Sequence, residues 1–149
     1  MAVLEIIMIG LGTGFISIAL EASKEDLPIN MILGSICWAT YLYSFQLFDN
    51  KMLSIFFASF LISFLSIYLT RKMRKPLQVY LIAGIIPLLP GLNIFYMVFG
   101  FVNQDSKAIL ENAYLAIQIL AIIVLSLIFA SSITRLLQRI KFTKKRSEK

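Results

Sequence analysis

The chain has 149 residues, 59% of them hydrophobic and 15% charged, with a mean hydropathy of +0.85. Soluble domains carry about a quarter of their residues as charges, so the composition excludes a soluble fold and points to an all-α integral membrane protein. Histidine is absent, which excludes histidine metal sites, haem ligation and histidine-dependent triads; the lone Cys37 offers neither a disulfide framework nor metal-binding spacing.

A membrane helix needs about 20 apolar residues. Five runs qualify: 3–20, 29–47, 52–70, 77–102 and 108–134. The expected organisation is a five-helix membrane domain over 1–134 and a basic cytoplasmic tail over 135–149.

The first run has no Lys or Arg before it and carries Glu5, unlike a signal peptide, so it reads as a retained helix. Gly10, Gly12 and Gly14 cluster there, but the third glycine of a dinucleotide fingerprint would fall at Phe15 and no strand or acidic partner fits. Gly10 and Gly14 read instead as a small-residue pair for close helix approach. A polar stretch, Glu21–Leu27, forms the first loop, and Pro28 suits the first turn of the next helix. Trp38, Tyr41 and Tyr43 follow, fit for a headgroup interface or a cavity lining, with packing the default for the deep Trp38. Asp49–Lys51 makes a tight turn into the third run. Its serines, Ser54, Ser59, Ser63 and Ser66, are expected to bond their own backbone or a neighbouring helix.

The fourth run, LQVYLIAGIIPLLPGLNIFYMVFGFV, carries Pro87, Pro90 and Gly91 near its middle. Proline removes an amide donor and clashes with the carbonyl four residues earlier, so carbonyls near Ala83 and Ile86 should be released. Lipid cannot satisfy them; protein or a watery cavity must. A second half-helix beginning after Gly91 would present unpaired amides and about half a positive charge, suited to a carboxylate, with Asn93 adding a side-chain bond. On the residues alone, a site and a kink that only shapes packing stand level. After the Asn103–Lys107 turn, Glu111, Tyr114 and Gln118 share one face of the last helix. Glu111 is the proton-coupling candidate, but one turn into the span the headgroup region can hydrate it, and the interfacial reading stands ahead. Beyond Thr134 the chain reads as an amphipathic surface helix, Ile133, Leu136, Leu137 and Ile140 opposing Arg135 and Arg139.

Of the 14 basic residues, all but Lys51 and Lys107 fall in the 21–28 loop, the Arg71–Lys75 loop and the tail. Five helices place these on one side, and the positive-inside rule makes that side cytoplasmic, with the N-terminus outside. Such clusters contact anionic lipid; no nucleic-acid role is expected.

The run Gly84-Ile85-Ile86-Pro87-Leu88-Leu89-Pro90-Gly91 resembles the G-I-I-P-L-[VL]-P-G signature of the threonine/serine exporter family. The chain is most similar to that family's small membrane subunit, the counterpart of the C-terminal half of single-chain exporters. Pro28, Gly34, Trp38, the basic loop before the signature and the basic tail extend the likeness. Leu92 and Asn93 stand where glycine is common, while Phe95 and Tyr96 keep the aromatic character. The resemblance implies proton-coupled export of small amino acids or small carboxylates, with Pro87, Pro90, Gly91, Asn93 and Tyr96 at the substrate. It also implies a larger partner subunit of the same family, and no cofactor. An odd helix count supports a partner independently, since two such halves insert oppositely, as inverted-repeat transporters do. The alternatives are a non-transporting accessory subunit and, disfavoured by the lack of catalytic constellations, an intramembrane enzyme.

Overall fold

The computed structural model describes the backbone of residues 2–147 and the side chains of residues 3–136. Every regular element among them is helical. Helix α1 spans Ala2–Ala19, α2 Leu27–Phe48 and α3 Lys51–Met73. Then α4 covers Leu77–Ile85, a single 3-10 turn covers Ile86–Leu88, α5 covers Gly91–Val102, and α6 covers Ser106–Ser147.

Local chemistry sets these boundaries. Pro28 sits in the first turn of α2, where its missing N–H costs nothing. Asn50 caps α3, its Oδ1 accepting from the amides of Met52 (3.0 Å) and Leu53 (3.3 Å). Asp105 does the same for α6 through Lys107 and Ala108, both at 3.1 Å. Four links turn through a left-handed residue that is not glycine: Glu21, Asp49, Arg74 and Gln104. These links are short, so successive helices pack side by side.

Helices α2, α3 and residues 106–136 of α6 are each long and apolar enough to cross a membrane. Leu77–Leu88 and Gly91–Val102 pass that test only together, and they are bent by 63°. Residues 3–19 form a shorter apolar helix, about 26 Å long against a hydrocarbon core of about 30 Å. Length and composition thus give three to four spans rather than the expected five. The first run is cut short by the turn at Leu20–Glu21, and the fourth is not one straight helix.

The core lies between α2, α3, α4 and α6: Leu33 and Cys37; Ile55, Ala58 and Ile62; Tyr80 and Ile85; Leu88; and Ile119 and Ile123. Small residues bring α1 against α2. A Cβ on Gly34 would collide with the Thr13 side chain, and one on Gly10 would meet Ser35 and the Met31 carbonyl. The serines of α3 are buried. Ser59 donates back to the Ile55 carbonyl and Ser63 to the Ser59 carbonyl, while Ser126 of α6 meets Ser59 hydroxyl to hydroxyl at 2.7 Å. Many large apolar side chains remain exposed, among them Phe15, Leu92, Phe95, Phe99, Val102 and Leu110, a surface suited to lipid or another apolar partner. The amphipathic face expected beyond Thr134 falls mostly on residues 137–149, outside the described side chains.

Candidate functional site

The break between α4 and α5 is built by its two prolines. Pro87 has no N–H to offer the Ala83 carbonyl in a continued helix, and the chain tightens into the 3-10 turn at that point. Leu89 then turns extended (φ −62°, ψ 141°). Of the two carbonyls expected to be released, that of Ile86 accepts from the Leu89 amide at 3.1 Å. Pro90 is the N-cap of α5 and has no side-chain acceptor to give. The first bond closing that helix runs from the Ile94 amide to the Pro90 carbonyl, 3.0 Å. The amides of Leu92 and Asn93, inside the first turn, are therefore orphan donors of a helix start.

A cavity of about 220 Å³ lies against the break, lined by Pro87 through Asn93, Trp38 and Tyr41 of α2, Lys51 and Ile55 of α3, and Ile119 of α6. Trp38 stacks on Tyr41 with ring centroids 5.0 Å apart, and its buried indole Nε1 has no hydrogen-bond partner among the described residues. The Asn93 amide nitrogen donates to Asn112 Oδ1 at 3.4 Å, tying the start of α5 to α6. Lys51, the indole N–H and the α5 amides are all donors. The Lys51 charge and the positive end of a helix beside the cavity suit an anionic group such as a carboxylate.

The structure brings Pro87, Pro90, Gly91 and Asn93 together around this cavity. It leaves Tyr96 on the exposed face of α5, 52% accessible and outside the lining. Glu111 is exposed as well, 3.9 Å from Lys107 one turn earlier. Lys51 and Trp38 are two polar lining residues that sequence reasoning did not assign to the site. The turn at Asp49–Lys51 gave no sign that Lys51 lies beside the break, and Trp38 reads as packing. Among the described residues, no group of three or more His, Cys, Asp or Glu side chains could hold a metal ion.

A second polar cluster sits at the other end of α2. Asp26 is 1% exposed; its carboxylate accepts from Lys75 Nζ at 2.8 Å and from the Tyr80 hydroxyl at 2.9 Å. The carboxylate, by hydrogen bond and charge, holds the Lys75 ammonium above its usual pKa. These contacts place the Leu20–Asp26 turn and the Arg74–Pro76 turn at one end of the bundle. The sequence reading treated Asp26 as part of a polar loop. The spacing of Asp26 and Asn30, two polar groups four apart at the start of an apolar helix, was the signal available.

An all-helical chain with three to four helices long and apolar enough to cross a membrane among the described residues fits a membrane protein. The chain belongs to the threonine/serine exporter family: the family model described as Threonine/Serine exporter, ThrE, matches residues 5–133. Comparison with the curated proteins and with the solved structures gave no match.

Proposed function

We propose that the chain is the membrane subunit of a secondary transporter that exports threonine, serine or related small carboxylates across the cytoplasmic membrane of a bacterium. The supporting observation is the cavity at the α4–α5 break, lined by Lys51, Trp38 and the start of α5. In this reading the substrate carboxylate docks at the start of α5. Pro87, Pro90 and Gly91 shape the opening, Asn93 positions that helix through Asn112, and Tyr96 faces the partner's side of the pathway. The protein transports without catalysing a reaction.

The full arrangement is five spans, α4 and α5 forming one broken crossing, with the N-terminus outside and the basic tail in the cytoplasm. The basic loop and tail rest on anionic lipid. A larger subunit of the same family supplies the other membrane half and covers exposed apolar residues of α5 such as Leu92, Phe95 and Phe99. Export is coupled to the proton gradient, with Glu111 the candidate carrier in this chain. A Glu111→Gln exporter with an unchanged pH profile would move the coupling group elsewhere.

Efflux of labelled threonine and serine from preloaded cells tests the proposal. The cells express this chain, a candidate large subunit, or both. Export from the pair alone is the expected result. Co-purification of the pair without export would instead make this chain an accessory subunit. Export by this chain alone would remove the need for a partner.

A further inference from the structure

The Asp26 cluster opens onto a cavity of about 410 Å³, larger than the one at the break. Small-molecule sites occupy roughly 300–1,000 Å³. The cavity lies between the end of α1, the turn leading into α2, and α4, and Asp26, Asn30 and Lys75 contribute to its lining. Asn30 is the telling residue. It is 0% exposed, yet neither its amide nitrogen nor its carbonyl oxygen has a hydrogen-bond partner among the described residues. Buried polar side chains in native proteins are almost always paired, and leaving both ends of an amide unmade is costly. Asn30 is thus an unpaired polar group in the wall of this cavity.

The neighbouring groups indicate what that is. The Asp26 carboxylate has about four acceptor positions, and two are taken by Lys75 and Tyr80. Lys75 is the loosest member, on a turn and with a quarter of its side chain exposed. Its ammonium is also the chemical likeness of the α-ammonium of an amino acid. One turn along α2, the Asn30 amide offers a donor for a carboxylate and an acceptor for a hydroxyl. About 12 Å further along the same helix lies Trp38, at the break cavity. Between the two, Leu33, Ile62 and Gly84 close together so tightly that a Cβ on Gly84 would lie 2.6 Å from Ile62 Cγ2.

We propose that this cavity is a second amino-acid site, at the end of the bundle carrying the basic loop. Asp26 takes the ammonium of a small zwitterion and Asn30 its carboxylate or hydroxyl, with the Lys75 ammonium the internal competitor that the substrate displaces. The identity of the zwitterion rests on the exporter reading above. The apolar septum separates this site from the break, so the two can be filled at different times.

The test is alkylation of an Ala22→Cys protein, Ala22 lining the cavity, in membranes holding the full exporter. Labelling is followed with and without L-threonine or L-serine, and efflux is measured in the same strains. The buried Cys37 of the parent chain gives the background. The expected result is protection by both amino acids. K75Q should lower the half-protecting concentration by about tenfold, and N30A should raise it by at least about tenfold. Asn30 has no side-chain hydrogen bond among the described residues to lose, and an unchanged elution volume of the N30A complex checks that the fold is kept. Pro87→Ala with Gly91→Ala should stop efflux and leave protection intact.

Efflux without protection would overturn this site and leave the exporter standing. Protection without efflux would uphold the site and sink the exporter reading, and neither would sink both. If K75Q left the half-protecting concentration unchanged or raised it, Lys75 would be a structural partner and the competitor model would be wrong.

Discussion

At the scale of single residues, close helix contacts give the sharpest expectations. A methyl added at Gly34 meets three atoms of Thr13, including Cβ at 2.7 Å, and Thr13 is itself buried and bonded to its own helix. Gly34→Ala should therefore cost about 1–3 kcal/mol, the range for overpacking, measurable as a lowered unfolding midpoint in detergent. Gly14→Ala meets only the flexible Met31 side chain, and Gly12→Ala meets nothing within 4 Å, so both should cost much less. The Lys75–Asp26 pair carries its own pH signature. The folded-state pKa of Lys75 lies above its ordinary 10.5. Its contribution to stability is thus complete below that value and is lost as pH rises through the higher folded value. Lys75→Gln should be less stable than the parent at pH 8, and the gap should begin to narrow only as pH rises beyond about 10.5, read from unfolding midpoints across pH.

At the scale of elements, the break can be separated from folding. Gly91 has no positive φ, and a Cβ there meets nothing within 4 Å; neither backbone nor packing demands a glycine. Gly91→Ala should keep or slightly raise stability, since alanine gains up to about 1 kcal/mol of helix propensity. Gly91→Leu should fill the mouth beside the α5 amides and reduce export at unchanged expression. The Ser59–Ser126 contact between α3 and α6 is a membrane-type hydrogen bond, worth about 0.6 kcal/mol and at most about 1.7. Ser126→Ala should lower stability by that amount in an unfolding titration. Helix ends were legible where they are local: Pro28 and the Asp49–Lys51 turn act within a turn of themselves. The polar cluster was not, since Asp26 meets Lys75 and Tyr80 across 49 and 54 residues. No periodicity reports such a meeting. The break lay between: Pro87 and Pro90 announce an interruption, but not that Trp38 and Lys51 would stand beside it.

At the scale of the whole molecule, charge placement makes a topology testable by thiol labelling. Cysteines replacing Ser23 or Arg74 should react from the cytoplasmic face, and those replacing Asn50 or Gln104 from the opposite one. A Gln104 site labelled from the cytoplasm would make the α4–α5 pair a re-entrant loop instead of a crossing. The bend has a mechanical consequence too. Helices α1 to α4 lean on one another, whereas α5 packs mainly on α6 and joins α4 through the extended Leu89 and Pro90. Its 12 residues make an arm about 18 Å long. A rotation of about 10° at those two residues would carry Val102 roughly 3 Å, close to the width of a water molecule, while Gly91 barely moved. The same pair of prolines that exposes the amides of α5 also gives them a lever, with its fulcrum at the cavity and its stroke at the far turn.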